Sequence, residues 1–174
     1  MLGKQHLAFG ICSGIAFTSA LSCVTEISPQ VAACFVFTMG IGAIFPDIDH
    51  PDSVVSKKAP FVSKIVTRFV KHRTITHDIL VYAVILALML VFKAPFVLFG
   101  FPIGCISHLF LDGFTVNGLP IAYLFNKEKK LYFLPKKMRP KSSGTGAAVL
   151  TVLFCIISIF LAGLVLSSKI APMI

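Results

Sequence analysis

The sequence predicts an all-α protein, a polytopic membrane bundle of about five hydrophobic helices, and three observations carry that expectation. Hydrophobic residues make up 56% of the 174-residue chain, only 13% are charged, and the mean hydropathy is +0.90, whereas soluble domains hold roughly 45–50% apolar residues. The apolar residues gather into separate blocks, and the cationic residues fall almost wholly on alternate connections between them. The length suits one domain covering residues 1–174, and no second domain is expected.

A bilayer-crossing helix takes roughly 20 apolar residues. Residues 7–24 form the first block, 31–46 the second, and 147–166 the last; the first and last have the required length. The third, residues 79–92, is short. It crosses only with His77 and Asp78 near its entry and Lys93 snorkelling outward at its far end. Residues 94–111 form the fourth. Between the third and fourth, Lys93-Ala94-Pro95 contains a proline that resists helix continuation, which predicts a tight helical hairpin. The run after Lys4 has some features of a signal peptide, with small residues before Cys23. A single Lys precedes it, however, and the next apolar block follows at once, so a retained first span is expected.

Five crossings from a cytoplasmic N-terminus put residues 48–78 and 112–146 in the cytoplasm. That side then carries Lys4, Lys57, Lys58, Lys64, Arg68, Lys71, Arg73, Lys127, Lys129, Lys130, Lys136, Lys137, Arg139 and Lys141, leaving Lys93 and Lys169 outside. This asymmetry follows the positive-inside rule. It also accounts for the net charge of +9 through topology and attraction to anionic lipid headgroups, so nucleic acid is not an expected partner.

Residues 61–70 place Phe61, Ile65, Val66, Phe69 and Val70 at helical spacing among Lys64, Thr67 and Arg68. The pattern predicts an amphipathic helix lying in the interface with its basic face toward headgroups, or the same helix packed on the domain. The connection over 113–146 is long and mixes aromatic residues with lysines, as an interfacial or lid-like segment would. Cys12, Cys23, Cys34, Cys105 and Cys155 lie in or at the edge of apolar blocks without a C-x-x-C pair and read as small buried hydrophobes.

Ionisable residues at membrane depth are costly and mark function. They cluster here at four points: His6 opening the first span; Asp47, Asp49, His50 and Asp52 ending the second; His72, His77 and Asp78 before the third; His108 and Asp112 ending the fourth. All four lie at the cytoplasmic face of a topology drawn from Lys and Arg alone. His108 and Asp112 are one helical turn apart and share a face, able to grip one ion, although a buried hydrogen-bonded pair has the same spacing. Turn or N-cap duty equally explains any single Asp. Taken together, imidazoles and carboxylates without thiolate suit a divalent transition metal, with zinc expected ahead of manganese or iron. The candidate ligands are His6, Asp47, His50, His72, His77, His108 and Asp112, more than one tetrahedral zinc takes, so a cluster of two or more ions is expected. Asp49 or Asp78 would act as general base or as orienter of a ligand. Arg73, Lys71 or Lys57 would hold developing negative charge.

Pro46-Asp47-Ile48-Asp49-His50-Pro51, His72-Arg73 with Thr76-His77, and Ser107-His108 with Asp112-Gly113 resemble the YdjM/YbcI-type family of inner-membrane metal-dependent hydrolases. The resemblance runs from His6 to the last span. That family implies a bacterial-type inner (plasma) membrane, and its own similarity to zinc-dependent phospholipase C implies a phosphodiester substrate, phospholipid included. It also implies His6, Asp47, His72 or His77, His108 and Asp112 as metal ligands. Where the family commonly has a Glu after the Gly opening the last span, this chain has Gly146-Ala147-Ala148.

The expected function is a membrane-bound metal-dependent hydrolase acting on a lipid or lipid-linked phosphoester at the cytoplasmic leaflet. The alternative is a non-catalytic membrane protein whose metal staples its helices and whose basic loops bind a partner or anionic lipid. Ion transport is disfavoured, because transporters carry polar groups through the depth of their spans, and these span interiors hold only small hydroxyls such as Ser13, Thr18 and Thr38.

Overall fold

The computed structural model describes residues 1–69, 74–121 and 129–170. Its helices are α1 (Gly3–Leu21), α2 (Pro29–Ile44), α3 (Val54–Lys58), α4 (Pro60–Phe69), α5 (Ile79–Val91), α6 (Phe96–Gly113) and α7 (Thr145–Ile170). The one departure from an all-helical chain among the described residues is a two-residue antiparallel ladder in the second long connection. There β1 (Leu119–Pro120) pairs with β2 (Lys130–Leu131).

Three stretches among the described residues are long and apolar enough to cross a bilayer: Pro29–Asp49, Phe96–Gly113 and Thr145–Ser168. Of the helices formed by the apolar blocks, α1 and α5 fall short of that measure. With 13 residues, α5 rises about 20 Å at 1.5 Å per residue, less than the roughly 30 Å of hydrocarbon. The first turn of α1 carries Lys4, Gln5 and His6.

Local chemistry sets the ends. Ser28 caps α2, its Oγ accepting the Val31 N–H at 3.3 Å, and Pro29 takes the first helical position. Lys93 adopts a left-handed φ of 51° and Ala94 N–H reaches the Met89 carbonyl at 2.9 Å. This closes the hairpin between α5 and α6 that Lys93-Ala94-Pro95 predicts.

Glycines determine how closely the central helices approach. A Cβ on Gly100 or Gly104 of α6 would fall on the carbonyl oxygen of Phe35 or Met39, and one on Gly42 of α2 would fall on the Phe101 carbonyl. Backbones therefore meet directly across α2 and α6, the packing that small residues four apart permit in membranes. Thr38 Oγ1 bridges the same pair by donating to the Val97 carbonyl at 2.6 Å. On α1, Gly10 and Gly14 lie against Ala43, Met39 and Val36 of α2. Of the cysteines, Cys105 is buried, whereas Cys23 and Cys34 are exposed rather than buried as expected.

Candidate functional site

The glycine ladders place the histidines. His6, Gly10 and Gly14 are spaced four apart along α1, as are Gly100, Gly104, His108 and Asp112 along α6. Each ladder runs down one helix face, so the close approach to α2 brings His6 and His108 inward at the same end of the bundle. Their rings stack with centroids 3.5 Å apart and planes 13° from parallel, and both are fully buried.

Asp47 reaches the same point from the 3-10 turn Phe45–Asp49 that ends α2, and His77 from the 3-10 turn Ile75–His77 that precedes α5. Asp47 Oδ1 lies 3.6 Å from His108 Nε2 and 3.6 Å from His77 Nε2. Asp112 Oδ1 lies 3.5 Å from His6 Nε2 and 2.6 Å from the Met1 amino group. Ligand atoms of His6, Asp47 and His108 fall within 4.8 Å of one another, as do those of His77, His108 and Asp112.

Hydrogen bonds assign the imidazole protons. His108 Nδ1 is 2.8 Å from the Ala43 carbonyl, a group that only accepts, so Nδ1 carries the hydrogen and Nε2 the lone pair in the neutral ring. His77 Nδ1 faces Thr76 Oγ1 at 3.2 Å and Asp49 Oδ2 at 3.5 Å. The Thr76 hydroxyl itself donates to Asp49, so Nδ1 again carries the hydrogen and Nε2 points to Asp47. Burial works against charge on His77, but the Asp47 and Asp49 carboxylates beside it outweigh burial and hold its pKa above the ordinary imidazole value. Both nitrogens of His6, and Nε2 of His108, are buried and make no hydrogen bond among the described residues.

The remaining candidates lie elsewhere. Asp49 stands behind His77 rather than in the cluster. His50 turns aside, its Nδ1 accepting the Asp52 N–H at 3.2 Å. Asp78 caps α5, with Oδ1 accepting the Leu80 N–H at 3.0 Å. Removing that cap by Asp78→Ala should cost about 1 kcal/mol, read as a lower thermal midpoint in detergent, while Asp78→Asn, which keeps an acceptor, should hold near the unaltered midpoint. His72 and Arg73 lie outside the described residues. Ala147, which follows the Gly opening the last span, is buried beside Met1, Phe9 and Leu111.

The Gly-x-x-x-Gly spacing was the signal that sequence reasoning passed over, since it shows which face of α1 and α6 turns inward and hence why His6 meets His108.

Residues 1–169 match the family described as YdjM inner membrane protein. The chain is similar to YvsG of Bacillus subtilis (strain 168), with 33% identity over 124 residues that cover 71% of this chain and 73% of that protein. It is also similar to inner membrane protein YdjM of Escherichia coli (strain K12), with 29% identity over 134 residues that cover 71% of this chain and 65% of the relative. The Shigella flexneri protein of the same name matches equally. No solved structure matches the chain. The helical bundle, its apolar spans and the match along nearly its whole length place this chain in the YdjM inner membrane protein family.

Proposed function

We propose that this chain is a metal-dependent hydrolase that acts on a phosphoester bond of a lipid or lipid-linked substrate at the cytoplasmic leaflet. The observation that carries the reading is the facing of acceptors. Asp47 Oδ1 lies 3.6 Å from Nε2 of both His77 and His108, and in the neutral His108 ring, with Nδ1 on the Ala43 carbonyl, that nitrogen is a second acceptor facing the carboxylate. Acceptors held that close repel unless a cation lies between them. Two ligand atoms about 2.1 Å from a tetrahedral zinc stand roughly 3.4 Å apart, which is close to the spacing found.

His108, His77 and Asp47, with His6 and Asp112 beside them, would hold the ion, and zinc suits an imidazole and carboxylate set. A metal bound there supplies Lewis acidity and lowers the pKa of water. Asp49 stands 3.5 Å from His77 Nδ1 and accepts from the Thr76 hydroxyl that also meets that nitrogen, so it would fix the ring as a carboxylate behind a ligating histidine does. Ala43 does the same for His108. Asp47 is the most open member at 16% exposure, so substrate phosphate would approach past its carboxylate.

The near-complete burial of His6, His77, His108 and Asp112 also favours a second reading, because structural metal sites are closed and catalytic ones keep an open position. In it the ion staples the helix ends without catalysis. Purified protein in nanodiscs, assayed with bis-p-nitrophenyl phosphate and with fluorescent phospholipids, separates the two. Chelator-sensitive, metal-restored release of product is expected. Retained metal with no turnover on any phosphoester would leave the staple.

A further inference from the structure

The helix α4 is tied to the site by its polar side and leaves its other side unpartnered among the described residues. Ser63 is buried and donates to the Ile48 carbonyl at 3.0 Å, and Ser56 of α3 donates to the same oxygen at 3.0 Å. Ile48 lies between Asp47 and Asp49, so these two bonds hold α4 in a set orientation against the turn that carries both carboxylates.

That orientation turns an unusual face outward. Phe61 is 76% exposed, and Val62 and Ile65 are each 46% exposed. Lys64 and Arg68 follow on the adjoining stripe, and with Phe61 and Ile65 they line an open groove of about 520 Å³. Residues 53–69 contain no acid, whereas Lys57 and Lys58 add two more cations at the end of α3. A solvated surface helix has no reason to expose a phenylalanine and two branched aliphatics together. A helix lying in a headgroup layer does, with its apolar side chains entering the acyl boundary and its cations against phosphates. The flanking segments fit this depth, since the connection leaves the end of one apolar helix, α2, and returns to the start of another, α5.

We propose that α4 is a docking surface for anionic phospholipid, with the headgroup phosphate held between Lys64 and Arg68 and the acyl region against Phe61 and Ile65. This goes beyond the hydrolase reading and stands whether or not the chain is an enzyme.

The chain contains no tryptophan, so Phe61→Trp introduces a single tryptophan at a highly exposed apolar position of α4. The full chain with this change is reconstituted into nanodiscs of phosphatidylcholine, with or without phosphatidylglycerol. Blue-shifted emission and strong quenching by brominated acyl chains are expected with phosphatidylglycerol and much less without it. Adding Lys64→Glu and Arg68→Glu should weaken the phosphatidylglycerol response roughly tenfold or more, given what each cation contributes near an anionic leaflet. Water-like, unquenched emission in both lipids would overturn the proposal. So would equal quenching in both lipids, or a response that follows protein density instead of lipid charge and thereby marks a second copy of the chain.

Discussion

His108→Ala is expected to strip the purified chain of its transition metal, to under about a tenth of the unaltered content, since changes even to the partners of ligands cost 10–100-fold in affinity. His108 is the centre of the cluster. Its ring stacks on His6, lies 5.3 Å from that of His77, and belongs to both groups of close ligand atoms. Its Nδ1 is committed to the Ala43 carbonyl, which leaves one nitrogen to serve one ion. The two groups that share it are therefore alternative halves of one site, and about one metal per chain is expected rather than the cluster that ligand number alone suggests. Metal content is measured by elemental analysis of detergent-purified protein after size-exclusion chromatography confirms the fold. His108→Gln, which keeps an amide donor for Ala43, should also lose metal, while His50→Ala should keep it, because His50 faces Asp52. Asp49→Asn should fall between, weakening metal without abolishing it. Undiminished metal in a folded His108→Ala would defeat the proposed site.

Periodicity, capping and charge are local properties, and what depends on them was legible in the residues. The α5–α6 hairpin at Lys93-Ala94-Pro95 and the amphipathic α4 follow from spacing alone. The convergence of the helix ends was legible too, because alternating topology brings the start of α1, the end of α2, the approach to α5 and the end of α6 to one face. Individual roles were not. Asp47 and Asp49 are equivalent in sequence, two residues apart in one turn, yet one faces two imidazole nitrogens and the other stands behind His77. Only the tertiary position of Thr76 and His77, some 27 residues on, separates them. Asp78 carries the same side chain but spends it on the α5 backbone. The number of helices able to cross depends on where turns cut the apolar runs, and the run of residues 79–92 loses its margin to the cap at Asp78 and the turn at Lys93. The β1–β2 ladder, two residues a side, is below the length at which alternation can be read.

Gly104→Leu is expected to leave little folded protein. Even the first atom of the new side chain would lie on the Met39 carbonyl oxygen, with Ala43 N–H behind it. Overpacking a tight interior costs about 1–3 kcal/mol when side chains can shift. Here the opposing atoms are helix backbone, which cannot move aside without parting α2 from α6, so the loss should reach the top of that range or exceed it. Gly163→Leu on α7 is the matched control, since a Cβ there meets nothing within 4 Å and the leucine would face lipid. The measurement is the fraction remaining monodisperse after heating in detergent, compared between the two variants. Equal survival would mean that α2 and α6 do not meet through Gly104. Because His108 sits one turn along the same face, Gly104→Leu should lose metal and fold together, whereas His108→Ala loses metal from a chain that still folds. That difference separates the residues that bring the helices together from those that bind the ion.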